Sequence, residues 1–230
     1  MSQREIDMHA EQALAKFLDD HLYRELLKEE KFASFQRVTS IAQQKQGIDV
    51  IAKTGASVAY IDEKAQLHYI NKTLPTFAFE LEFLLDGRAM EGWFLNDDLK
   101  TTHYLLLWPN ARTTDLSRIS SEDFTQVEGM MISKVKMKRY LNTIGITTPF
   151  LKEITRILRQ RKLTGPQKTA FDGIKFFVSP STAYSENPVN MVISKRVLIT
   201  LTDAHYVVSQ DGFRRIPISH QYSEVITDLC

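Results

Sequence analysis

The sequence predicts an α/β protein, a mixed β-sheet flanked by helices with an additional α+β region toward the C-terminus. Three observations carry this. Apolar residues recur at helical spacing over residues 5–30, alternation with a period of two dominates between residues 48 and 84, and helical periodicity returns beyond residue 130. At 230 residues, 43% of them apolar, the chain is long enough for one sizeable core. It reads as a single domain, 1–230, with a core over about 5–115 and a basic C-terminal region over about 116–230.

Taken in order, Ile6, Ala10, Ala13, Leu14, Phe17, Leu18, Leu22 and Leu26 place one apolar stripe on a long amphipathic helix. Arg37 precedes the first strand of the site, as a phosphate contact or the partner of a surface acid. Ile48-Asp49-Val50-Ile51 then opens a strand after Gly47. The stretch Ser57–Tyr69, rich in β-branched and aromatic residues, predicts a second strand on which Asp62, Lys64 and Gln66 share one face. Ile61 and Ala65 face the core, which leaves Glu63 out of place and makes Asp62 the partner of Lys64. His68 falls on the site face by the same alternation.

Thr76–Leu84 alternates Phe77, Phe79, Leu81 and Phe83 against Ala78, Glu80 and Glu82, a strand with one buried and one polar face. Glu82 is expected to face water, and Glu80 is a candidate neighbour of the site. Strands follow at Met90–Leu95 and Thr102–Trp108, the latter closed by Pro109. Trp93 and Trp108 read as packing residues. Lys134–Leu141 predicts a basic helix, and Thr148-Pro149 caps and opens another that runs over Phe150–Lys162 to Gly165-Pro166. Pro188–Thr202 predicts a helix and His205–Val208 a last short strand.

Asp49, Asp62 and Lys64 carry the chemistry. Two carboxylates are hard oxygen ligands suited to Mg²⁺ or Mn²⁺, and an ammonium two residues along can position or activate a water and steady charge on a phosphoryl group. Gln66 and Gln46 would orient the lysine or the water. The wording Gln46-Gly47-Ile48-Asp49-Val50, with Asp62-Glu63-Lys64-Ala65-Gln66, resembles the PD-(D/E)xK nuclease superfamily. Leu74–Leu81 and Gly92-Trp93-Phe94-Leu95 resemble a bacterial and phage subfamily of it, and the likeness covers roughly residues 17 to 110. Ile48 stands where the motif that names the superfamily has proline.

The resemblance implies a restriction endonuclease-like core, catalytic Asp49, Asp62, Lys64, Gln66 and Gln46, and metal ligation by Asp49 and Asp62. It also implies a further acid from the N-terminal helix, for which Glu11, Asp19 and Asp20 are candidates. The expected activity is Mg²⁺- or Mn²⁺-dependent hydrolysis of DNA phosphodiester bonds, that of an endonuclease of restriction, defence or repair type. The alternatives are RNA as substrate, or a nuclease fold that binds nucleic acid or a protein without cutting. A homodimer would suit double-strand cutting.

Charge supports a phosphate partner. Between residues 131 and 170 ten Lys or Arg stand against one acid, Glu153, a local charge of +9 that leaves −8 for the rest of a chain whose total is +1. Such a block fits a nucleic-acid backbone, bound largely by counterion release. Lys134, Lys136, Lys138, Arg139, Arg156, Arg159 and Lys162 are the candidate contacts. The lone cysteine, Cys230, rules against an internal disulfide or a thiolate zinc cluster. The histidines show no HxH or HExxH spacing, and neither a Walker A loop nor GxGxxG occurs. With no apolar run of ~18 residues and a polar start, the sequence predicts a soluble, cytoplasmic protein without a membrane segment.

Overall fold

The computed structural model describes residues 2–180 and 186–218, so Cys230 and His220 lie outside the described residues. In chain order the elements begin with α1 (Gln3–Leu18), a π turn (Asp19–Tyr23) and α2 (Arg24–Lys28), which follow one another as one helical run. Next come β1 (Ser34–Arg37), α3 (Ile41–Gln44), β2 (Val50–Thr54), β3 (Ser57–Ala65), β4 (Thr76–Leu85) and β5 (Arg88–Glu91). Then β6 (His103–Ala111) and β7 (Phe124–Ser133) lead into α4 (Lys134–Thr143) and α5 (Thr148–Gln160). The remainder is β8 (Gly165–Gln167), β9 (Ile174–Val178), β10 (Val189–Ser194), α6 (Lys195–Leu201), β11 (Ala204–Ser209) and β12 (Gly212–Arg215).

These elements make a mixed α/β structure of two compact units, each assembled from separated stretches of chain. Of the described residues, the first comprises 2–74, 101–134 and 202–218, and the second 75–100, 135–180 and 186–201. The division therefore runs through both stretches, 5–115 and 116–230, that the sequence delimits.

The first unit holds a seven-stranded sheet in the order β1-β2-β3-β6-β7-β11-β12. All neighbours are antiparallel except β3 and β6, which run parallel with Asp62 opposite Tyr104 and Lys64 opposite Leu106. Strand β6 is an almost unbroken apolar run, buried from Tyr104 through Trp108, as befits a central strand covered on both faces. It does not stop at Pro109, which pairs with Val127 inside the strand before the ladder ends at Ala111. The apolar stripe of α1 lands as its spacing predicts. Ala10, Leu14, Phe17 and Leu18 pack with Val50, Ala52, Ile61, Leu105, Leu107 and Phe124 in one core. Ser2 caps α1 through a capping box with Glu5.

The second unit holds a five-stranded antiparallel sheet, β5-β4-β10-β9-β8. On β4, Phe77, Phe79 and Leu81 are buried, as the alternation predicts. Strand β5 is shorter than the expected Met90–Leu95, because the chain turns at Gly92. A side chain there would meet the Glu80 carbonyl oxygen, 2.5 Å from where a Cβ would stand. Helix α5 is capped one residue earlier than expected, by Thr147, whose hydroxyl accepts the Phe150 N–H at 3.3 Å. The stretch 188–202, expected to be a helix, opens instead as β10, its alternating Val189, Met191 and Ile193 buried between β4 and β9, and turns helical only at Lys195. The last hairpin, β11–β12, extends the expected final strand. No helix among the described residues is long and apolar enough to cross a membrane.

Candidate active site

Asp49 stands immediately before β2 and is held from two sides. Its backbone N–H donates to the Ile61 carbonyl at 2.9 Å, and its Oδ2 accepts the Glu63 N–H at 2.8 Å. The turn that delivers it is fixed by Gly47, whose φ of 70° suits a residue without a Cβ, and by the Thr101 hydroxyl, which donates to the Gly47 carbonyl at 2.7 Å. On β3, Asp62 is only 1% exposed. Its Oδ1 receives the Lys64 ammonium at 2.6 Å, so Asp62 is indeed the lysine's partner.

The second oxygen of Asp62, Oδ2, is buried with no hydrogen-bond partner. A buried carboxylate oxygen left unsatisfied is costly unless a proton or a cation meets it. Its protonation reflects this. Burial and the nearby Asp49 carboxylate push Asp62 up to about 7, against the opposing pull of Lys64. Lys64 responds in the other direction. Burial works against its charge, but Asp62 and Asp49 outweigh that and hold the ammonium above its ordinary pKa. Lys64 is therefore a cation at neutral pH and donates rather than accepts.

Of the three helix acids, Glu11 is the one seen to interact electrostatically with Lys64 and Asp49. Crowding by protein raises its carboxyl although the residue is exposed overall, with Lys64 opposing and Asp49 and Asp7 adding. Asp19 binds Arg37 at 2.6 Å, and Asp20 binds Lys16 and Arg24 at 2.8 and 2.7 Å. Gln66 lies one residue beyond β3, half-buried, its N–H donating to the Leu107 carbonyl at 3.1 Å. Because the strand ends at Ala65, alternation no longer sets the direction of the Gln66 side chain. Gln46 sits in the turn after α3 and makes no side-chain hydrogen bond to the acids or to Lys64 among the described residues. His68 is in a short 3₁₀ turn rather than on the strand face, exposed, with Nε2 3.3 Å from Asp7.

Behind the acids lies a network that sequence reading placed only in fragments. Glu63, on the core side of β3, accepts from Arg37 at 2.5 Å and from the Tyr23 hydroxyl at 2.7 Å. Arg37 spans Glu63 and Asp19 and lies over the Tyr23 ring at 5.6 Å. Arg37 thus contacts two half-buried acids rather than one surface acid. The signal was the charge of Glu63 between Ile61 and Ala65, since a carboxylate on an apolar face requires a cation beside it. The π turn brings Asp19 and Tyr23 onto this pair.

The basic candidates differ in how they are engaged. Lys134 is 9% exposed and opens α4. Lys136 is half-buried, and Lys138 pairs with Asp97. Arg156 is exposed and paired with Glu153 at 2.8 Å. Arg159 is half-buried, bound to Glu82 at 2.8 Å and to the Asn187 carbonyl at 2.6 Å. Glu82 therefore holds Arg159 instead of facing water, and Glu80 stands with it on β4 of the five-stranded sheet. Arg139 and Lys162 are exposed and carry no ion pair among the described residues. Trp93 packs on Phe79, 5.5 Å between centroids, and Trp108 is buried, as packing residues should be.

Among the described residues no group of three or more His, Cys, Asp or Glu is placed as a ready-made metal cluster. The donor set at hand is two carboxylates, which suits an ion that keeps several waters and takes the rest of its ligands from substrate oxygens. No family model, curated protein or solved structure matches the chain.

Proposed function

We propose that the chain is a divalent-cation-dependent phosphodiesterase that cleaves DNA. One observation carries the reading. Asp62 is a buried carboxylate with one oxygen on Lys64 and the other unsatisfied, and Asp49, at the start of the neighbouring strand, accepts the N–H of the next residue, Glu63. A protein stabilised by packing alone gains nothing from that arrangement. The orphaned oxygen fits a cation of the Mg²⁺ or Mn²⁺ class, with Asp49 and Asp62 as its protein ligands and Glu11, which interacts electrostatically with Asp49 and Lys64, as the candidate third acid. When bound, such an ion supplies Lewis acidity toward a phosphodiester and its attacking water.

The chain's own residues supply the rest. Lys64, kept protonated by its two carboxylates, donates hydrogen bonds and offsets charge growing on the phosphoryl oxygens. Asp49 is aimed by the Glu63 N–H, so its position follows from the register of β2 on β3. Arg139 and Lys162, exposed and without an ion pair among the described residues, are the basic residues this reading gives to a phosphate backbone. The restriction endonuclease-like architecture, the DNA substrate and the metal belong to this proposal together.

The test is incubation of the purified chain with supercoiled, linear and single-stranded DNA, and with RNA, in Mg²⁺, Mn²⁺ or EDTA. Metal-dependent DNA cutting that disappears in Lys64→Ala and Asp62→Asn, both still folded by circular dichroism, is the expected result. Cutting that survives both substitutions removes the assignment. Salt-sensitive DNA binding without cutting under any condition favours the non-catalytic reading.

A further inference from the structure

The second unit contains a cavity that the proposed chemistry does not use. It has a volume of about 320 Å³ and lies between the apolar face of α5 and the segment leading through β8 to β9. Phe150, Ile154, Ile157, Leu163, Phe171 and Phe176 form its walls. The Phe150 and Phe171 rings meet edge to face at 5.8 Å, and five of the six residues are only partly covered, Phe176 alone being fully buried. Concave, partly open apolar walls of this size are what small-molecule sites have.

Two cations stand at the cavity, Arg161 and Lys168. Their neighbours on α5 are all matched, Lys152 with Glu91 at 2.5 Å, Arg156 with Glu153 and Arg159 with Glu82. Arg161 and Lys168 are exposed and have no carboxylate partner among the described residues. Arg161 caps the C-terminus of α5, where a cation also serves the helix dipole. Lys168 follows β8 in no helix, so that explanation does not reach it.

We propose that this cavity binds a small amphipathic anion, an apolar acyl or aryl body seated among the phenylalanines and isoleucines with one carboxylate between Arg161 and Lys168. The body gains from burial along the walls, and the head group gains charge-assisted hydrogen bonds from two donors otherwise left to solvent. Gln167 and Thr169, which also line the cavity, direct their donors at backbone carbonyls of Thr164, Gly165, Phe171 and Ile174. They therefore stiffen the rim, and the anion is left to the two cations.

The experiment is calorimetric titration of the full chain with decanoate below its micellar range, with decanol and inorganic phosphate as separate probes. Expected are one saturable decanoate site, decanol at least about tenfold weaker, and no measurable phosphate binding at the same concentrations. Arg161→Gln with Lys168→Gln should weaken decanoate about tenfold while the fold survives with a melting temperature lowered only by the lost helix-dipole contact of Arg161, and Ala170→Trp, at a residue that also lines the cavity, should block the site. Absence of saturable binding overturns the proposal, as does equal binding of decanol, of phosphate, or of decanoate by the charge-free variant.

Discussion

A carboxyl group that titrates near neutrality gives Asp62 a measurable signature in the metal-free protein. Its folded pKa of about 7 lies above the ordinary 3.8, so the stability it contributes is complete below the ordinary value and is lost as pH rises toward 7. Asp62→Asn does not titrate. In EDTA the melting temperature of the variant minus that of the parent should therefore grow between pH 5 and pH 8, by the equivalent of about 2–4 kcal/mol. A pH-independent difference would contradict the buried, unsatisfied carboxylate. For the same reason Mn²⁺ should bind more tightly as pH rises through 7, releasing a proton, and should raise the melting temperature of the parent but not of Asp49→Asn/Asp62→Asn. The cations separate in a parallel way. Arg139→Ala and Lys162→Ala should each weaken DNA binding and lower the salt slope by about one, because both are exposed and unpaired. Arg159→Ala should instead destabilise the fold, since it strands half-buried Glu82. Melting curves alongside salt-dependent binding isotherms distinguish the two effects.

At the scale of elements, the ion network explains how a helix and two strands agree on a register. Arg37 from β1, Glu63 from β3 and Asp19 with Tyr23 from the π turn meet in one half-buried cluster. Arg37→Met should cost about 3 kcal/mol in urea unfolding, because two acids lose their cation, and adding Glu63→Leu should restore part of it. Equal losses in the single and double variants would mean that the charges are not coupled. Elements governed by local periodicity were legible in the sequence. The stripe of α1, the Phe77-Phe79-Leu81 face of β4 and the Asp62–Lys64 pairing on β3 each follow from spacing alone. What escaped depended on distant partners. Residues 189–194 form a strand because β4 and β9 flank them, and Pro109 stays inside β6 because Val127 accepts it as a neighbour. Gln66 lies one residue past the end of β3, so spacing alone does not fix its face.

For the whole molecule, burial grades the two sheets from centre to edge, and amide exchange should follow. Leu105, Leu106 and Leu107 of β6, fully buried between β3 and β7, should be among the slowest to exchange, whereas β5, exposed along its length, should exchange early. Uniform protection would contradict that ordering. Two units built from interleaved stretches could not be read from the sequence, because neither composition nor periodicity marks where the chain leaves one sheet and joins the other. The interleaving has a consequence for synthesis on the ribosome. Every strand and helix of the five-stranded unit has been made by Leu201, but β11 and β12 come after it, so the seven-stranded sheet waits with the edge of β7 open along Gln126–Met131. During that interval the nascent chain offers a bare row of backbone donors and acceptors to any passing strand, and chaperone occupancy should peak there and fall once Ser209 has emerged.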